Sequence, residues 1–172
     1  MVFGEAVQQV EKIATQKGDY MTNKWKFWHV GVLVGDIEKA AKYYESLGIG
    51  PFEVPSGLAT TDRKVYGKLA PDVKNLAKMA LLGPIEVELV QPVTGKSVQR
   101  EFLDKHGEGI NHIAFIVDDL DKETASLTKK GFKIISSGKI VGGGGFAYFD
   151  TDKVGGVVFE MVQFPPGVSR PF

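Results

Sequence analysis

Apolar positions along this chain come in two repeating arrangements. From His29 to Val34 and from His112 to Val117 the residues are β-branched or apolar in unbroken runs, the mark of strands buried on both faces. Each run is followed by an aspartate, Asp36 or Asp119, placed to cap a helix with its carboxylate. About ten residues of mixed apolar and charged character follow, then Gly48 or Gly131, where a helix ends on a positive φ. Laid over one another without a gap, the two segments match His29 with His112, Val34 with Val117, Asp36 with Asp119, Lys39 with Lys122 and Gly48 with Gly131.

Further strand-like runs follow each helix. In the first half they are Phe52–Pro55, Ala77–Leu82 and Ile85–Gln91; in the second they are Phe132–Ser137, Phe146–Asp150 and Gly156–Gln163. The last run of each half closes alike, Glu88-Leu-Val-Gln against Glu160-Met-Val-Gln. The chain therefore reads as an α+β protein of two tandem βαβββ modules, residues 25–95 and 111–164, joined by a linker over 96–110. Residues 56–76, rich in Thr, Asp, Lys and Gly, read as a surface loop and a candidate lid. Ala6, Val7, Val10, Ile13 and Ala14 have helical spacing, which predicts a helical extension over 1–24, and residues 165–172 read as a C-terminal tail.

Composition narrows the function. Lys+Arg and Asp+Glu balance at 21 each, and no basic stripe is interleaved with aromatics, so neither nucleic acid nor a membrane surface is expected as a partner. The absence of Cys removes disulfides, thiolate metal sites and cysteine nucleophiles. No apolar run reaches the roughly 18 residues of a membrane span, and no signal peptide is read at the N-terminus, so the expected location is cytoplasmic.

A His or Glu inside a buried strand is costly unless it is paired or binds a metal. Taken singly, His29 and His112 are more often structural, and Glu88 and Glu160 can point to solvent from alternating strands. Together they change meaning: each half supplies one His at the head of its first strand and one Glu near the end of its last. If a pseudo-twofold axis relates the halves, all four converge. Two imidazoles and two carboxylates suit a divalent ion (Co²⁺, Zn²⁺, Ni²⁺, Mn²⁺ or Fe²⁺) and leave two adjacent octahedral positions for a bidentate substrate. Gly142–Gly145 lacks the Gly-Lys-Ser/Thr of a phosphate loop and reads as a flexible loop over the site. His106, Glu53 and Asp62 read as solvated surface charge, with the two acids held as substitute bases, while Phe146, Tyr148 and Phe149 read as core or pocket wall.

The strand–helix segments, the E-L-V-Q strand end and the stretch FLDKHGEGINHIAFIVDDLD resemble the vicinal oxygen chelate superfamily, which includes glyoxalase I, bleomycin-resistance proteins and extradiol dioxygenases. The wording is most similar to the methylmalonyl-CoA epimerase branch, and the resemblance spans roughly residues 27–164. It implies a curved, barrel-like mixed sheet around a central metal site, with His29, Glu88, His112 and Glu160 as ligands. It also implies an acyl-thioester substrate, a homodimer and an enolising isomerase in which Glu160 doubles as base. Where those epimerases usually show two consecutive His, this chain has Asn111 before His112. Where some place a general-base Glu, it has Lys78 or Met79, which makes Lys78 a candidate proton carrier or oxyanion partner. A glyoxalase I-like lyase acting on a thiol hemithioacetal is the second reading, and a metal-free binding protein of the bleomycin-resistance type the third.

Overall fold

The computed structural model describes residues 25–168. The helix expected over 1–24 and the end of the tail lie outside them. In chain order the described residues form β1 (Lys26–Leu33), α1 (Ile37–Ser46), β2 (Thr60–Val65), β3 (Lys68–Leu69), β4 (Lys74–Leu82), β5 (Ile85–Thr94) and α2 (Val98–His106). Then come β6 (Gly109–Ile116), α3 (Leu120–Lys129), β7 (Ile134–Ile140), β8 (Gly145–Phe149) and β9 (Val158–Gln163). The strands make one curled mixed sheet in the order β3-β2-β7-β8-β9-β6-β1-β5-β4. The fold is α+β, and no helix among the described residues is long and apolar enough to cross a membrane.

The two halves meet at the antiparallel pair β1–β6, in which Val30 faces Ile113. Those two positions are separated by the same 83 residues as His29 and His112. Matched residues facing each other across an antiparallel pair is what a local twofold axis requires, and the flanking strands obey it. β5 lies parallel to β1 with Glu88 beside Gly31, and β9 lies parallel to β6 with Glu160 beside Ala114, the position that matches Gly31.

The sequence repeats carry their own physical reasons. Asp36 accepts from Lys39 N at 3.0 Å and Asp119 from Lys122 N at 2.9 Å, each satisfying an orphan amide at a helix start. The Gln of each strand-end motif does similar work: Gln91 Oε1 accepts from Ile37 N at 3.0 Å and Gln163 Oε1 from Leu120 N at 2.9 Å. Three residues before each Gln the motif carries its Glu, so one short run both ties down a helix and supplies a carboxylate. Strand alternation then separates two layers. Leu89 and Met161, both wholly buried, pack under α1 and α3, while Glu88 and Glu160 face the concave side. That side is lined by an apolar cluster of Trp28, Met79, Ala114, Phe146 and Tyr148, among others.

Three segments differ from the sequence reading. Phe52–Pro55 is not a strand; only Glu53 pairs, exchanging two backbone hydrogen bonds with Met79, because Pro51 and Pro55 limit the donors on either side. Residues 56–76 are not a loop. They contain the β2–β3 hairpin, closed by Tyr66 and Gly67 at φ of 48° and 75°, the conformation of a tight type I′ turn. The hairpin crosses to the other half and pairs with β7. The linker over 96–110 is occupied by α2, capped by Ser97, whose hydroxyl accepts from Arg100 N at 3.1 Å, and ended by Gly107 at φ 77°.

If the strand-end glutamines act as helix ties, Gln91→Ala and Gln163→Ala should each lower unfolding stability by about 1 kcal/mol. Urea titration should show the midpoint falling with an unchanged slope. An unchanged midpoint in both variants would contradict that role.

Candidate metal centre

Each of the four donors is delivered by a different one of four adjacent strands: His29 by β1, Glu88 by β5, His112 by β6 and Glu160 by β9. The Nε2 atoms of the two histidines lie 3.1 Å apart. Glu88 Oε2 is 3.3 Å from both of them, and Glu160 Oε2 is 3.6 Å from His29 and 3.5 Å from His112. The approach is possible because position 31 has no side chain. A Cβ there would sit 1.8 Å from His112 Cε1, inside the ring's own space, so the His112 imidazole lies flat over the backbone of β1.

Both imidazoles are essentially inaccessible to solvent. Asn111 Oδ1 stands 3.3 Å from His112 Nδ1, positioned to accept its proton and leave the Nε2 lone pair facing inward. His29 Nδ1 is buried without a partner. Across β8–β9, Tyr148 faces Glu160, and both line the same cavity.

The donor set was tested against the geometry a divalent ion demands. With metal–ligand bonds of about 2.1 Å, neighbouring donors sit about 3.0 Å apart on an octahedron and about 3.4 Å apart on a tetrahedron. The observed separations of 3.1–3.6 Å are those edge lengths. The ligand atoms of His29, His112 and Glu160 all lie within 4.8 Å of one another. Two ring nitrogens facing each other can share at most one proton, and no Lys or Arg forms an ion pair with either carboxylate among the described residues. The residues present therefore fit a divalent ion.

Electrostatics split the two carboxylates. Burial pushes Glu88 upward, but the charges and hydrogen bonds of His29 and His112 outweigh it and hold the group well below the usual carboxylate range. Burial also dominates at Glu160 and, reinforced by the charge of Glu88, raises it to about 7 against the opposing pull of His112, Tyr148 and Arg63. Tyr148 is itself driven well above the usual phenol range by burial and by the two glutamates.

Other sequence candidates lie elsewhere. Lys78 ion-pairs Glu38 of α1 at 2.8 Å, on the helix side of β4; its register partner is Leu89, whereas Met79 is the partner of Glu88. The structure does not bring it to the centre. Asp62 pairs with Lys139 at 3.4 Å, Glu53 is exposed, and His106 stacks on Phe102 at the end of α2. Gly142–Gly144 form the β7–β8 turn, held by Gly143 N on Ile140 O, and do not line the central cavity. That cavity, about 190 Å³, opens over His29, Glu88 and Glu160 and is walled by Trp28, Leu58, Phe146 and Tyr148. Arg63, Asn75 and Gln99 also line it. They belong to segments that carry no apolar rhythm pointing inward, and only the fold reveals them.

Comparison with known proteins agrees with this fold. The model of the Glyoxalase/Bleomycin resistance protein/Dioxygenase superfamily matches residues 28–149. An uncharacterized protein of Bacillus subtilis, YqjC, is 26% identical over 137 residues, covering 78% of this chain and 89% of its own. The mitochondrial methylmalonyl-CoA epimerase of Mus musculus is 26% identical over 144 residues, covering 78% of this chain and 71% of its own. Among solved structures, methylmalonyl-CoA epimerase from Mycobacterium tuberculosis superposes with a TM-score of 0.59 at 22% identity, over 86% of this chain and 95% of that one.

Two outcomes follow for ion binding. A proton on Glu160 competes with the ion, so Co²⁺ uptake should release a proton below pH of about 7, and affinity should weaken as pH falls through that value. Calorimetry in buffers of different ionisation enthalpy reads the release, and Glu160→Gln should abolish it. Gly31→Ala should displace the His112 ring and weaken Co²⁺ binding by about 10–100-fold; an affinity equal to the parent's would refute the packing argument.

Proposed function

Because the chain belongs to the Glyoxalase/Bleomycin resistance protein/Dioxygenase superfamily, we propose that it is a divalent-metal enzyme that moves the α-proton of a chelatable acyl substrate, in the manner of a methylmalonyl-CoA epimerase. His29, Glu88, His112 and Glu160 would hold the ion, which supplies Lewis-acid polarisation of the substrate oxygens. The observation that carries the reading is geometric: His29 and His112 each meet both carboxylates at 3.3–3.6 Å beneath a walled cavity. Glu160, whose register partner Tyr148 also lines the cavity, is the candidate general base.

The chain's own residues then divide the work. Glu160 Oε2 faces both imidazoles, so its other oxygen takes the α-proton, with Tyr148 beside it across β8–β9. Trp28, Leu58 and Phe146 wall the cavity with apolar surface, which excludes water from the carbanion-like carbon. A volume of about 190 Å³ is below that of pockets for drug-sized ligands, about 300–1,000 Å³. It accommodates an acyl group and leaves a long thioester arm outside.

One further observation favours a second reading. Among the described residues lining the cavity the only carboxylates are Glu88 and Glu160, both assigned to the ion, so no independent second base faces the substrate. A single base suffices for a glyoxalase I-like lyase, which transfers a proton between adjacent carbons of a thiol hemithioacetal. Either way the first committed event is the same proton abstraction.

Protein loaded with Co²⁺ should exchange the α-proton of methylmalonyl-CoA with D₂O, read by NMR or mass spectrometry. Glu160→Gln should slow it by about 10²–10⁴-fold. Absence of exchange in protein shown to hold its metal would end the epimerase reading and direct the same assay to methylglyoxal–thiol adducts.

A further inference from the structure

At each ligand histidine the preceding residue also turns to the buried side, which plain strand alternation forbids. Trp28 lines the cavity together with His29, and Asn111 is buried against His112. Register shifts in the β1–β6 ladder account for both. One falls on β1 between Phe27 and Val30, the other between Gly31 and Val32, where the pairing passes from His112 to Ile110 and skips Asn111. Such bulges re-aim a side chain. Here they do so at matched positions of the repeat, one step before each histidine.

The two re-aimed residues differ in kind. Asn111 offers its oxygen to His112 Nδ1 at 3.3 Å. An indole has a donor and no acceptor, and His29 Nδ1 is buried without a partner. What Trp28 gives His29 is a surface: the two rings meet edge to face, centroids 4.4 Å apart at 70°.

That indole is itself held at two points. Its Nε1 donates to Glu86, and Phe164 lies edge-on against it with centroids 4.9 Å apart. Glu86 is 3% exposed and is the register partner of His29 across β1–β5. Two residues before Glu160, where the second half would repeat it, stands Val158. A buried carboxyl is costly to keep for an indole whose place does not matter. Phe164 opens the C-terminal segment. Pro165 and Pro166 are laid over the β7–β8 turn, where a Cβ on Gly142 or Gly143 would meet them at 3.5 and 3.4 Å.

We propose that Trp28 is the positioning residue of His29, and that Glu86 and the C-terminal segment from Phe164 act on the ion centre through it. In the second half a hydrogen bond sets the histidine ring; in the first half a clamped indole sets it. The chain after β9 thereby supports the ion centre although none of its described residues is a donor. The assignment rests on the reading of the four donors as the ion centre.

The test is Co²⁺ titration of Phe164→Ala, Glu86→Leu and Glu86→Gln, read by calorimetry and by the visible absorption of the bound ion. Phe164→Ala and Glu86→Leu should weaken Co²⁺ binding by about 10–100-fold, the range for outer partners of a ligating histidine. Their absorption bands should also change shape, because a turned imidazole alters the ligand field. Glu86→Gln keeps an acceptor for the indole and should bind as the parent does. Melting curves separate these effects from loss of fold. Variants that melt lower yet bind Co²⁺ with the parent's affinity and spectrum overturn the proposal, as does Glu86→Gln that binds as weakly as Glu86→Leu. If Glu86→Leu does not fold, Phe164→Ala decides alone. A parent that takes up no Co²⁺ removes the proposed function and the brace together. A parent that binds Co²⁺ beside variants that bind it equally well removes the brace alone.

Discussion

The structure turns on one steric fact: the imidazole of His112 lies where any side chain at position 31 would begin. Gly31 lets β1 and β6 pair closely enough for the two Nε2 atoms to meet at 3.1 Å. From that contact the rest is placed by register. Parallel pairing of β5 with β1 and of β9 with β6 sets one carboxylate beside Gly31 and the other beside its matched position, Ala114. A one-residue slip in either ladder would turn that glutamate toward the helices and bring Leu89 or Met161 onto the concave face. Helix ties at Gln91 and Gln163 oppose such a slip, since each is fixed three residues beyond its glutamate.

Such a centre works against folding when no ion is bound. Two desolvated carboxylates and two buried imidazoles share a small volume, and removing charge from water is seldom repaid by mutual attraction alone. Apolar surroundings carry the difference: the concave cluster around Trp28 and Met79, and the two helix-covered clusters on the convex side. The Asn111 contact then matters beyond geometry. An acceptor on Nδ1 fixes the tautomer of His112, so a nitrogen lone pair rather than a proton faces His29.

Much of this was legible in the sequence, and for identifiable reasons. The gapless match from His29 to His112 marks positions that share an environment across the local twofold. The Asp caps and terminal glycines are local signals that need no tertiary context, and in the structure they do what their chemistry suggests. The β2–β3 hairpin was not legible because Thr60–Val65 has no apolar alternation, and its partner β7 is some seventy residues away in sequence. Ser97 and Gly107 are ordinary helix boundaries that bracket α2 within the expected linker. Lys78 illustrates parity. The tight turn pairing Leu82 with Ile85 forces Met79, not Lys78, opposite Glu88, and that register could have been counted from Gly83-Pro84.

Symmetry and its breaking divide the molecule. The matched parts, β1, β5, β6, β9 and their helix ties, build a centre fitted to an ion, and they treat the two halves alike. A centre of that kind would give Glu88 and Glu160 equal standing, yet their register partners differ: Met79 stands opposite Glu88 and Tyr148 opposite Glu160. The groups that border Glu160 are not repeated: Tyr148 on β8 and Arg63 on a hairpin with no counterpart in the second half. The unmatched α2 adds Gln99 to the same cavity. On the proposed reading, the symmetric scaffold holds the ion, while the unmatched hairpin and α2 shape the cavity above it. Substrate preference in this chain should therefore change with the hairpin and α2, and the ion site should not.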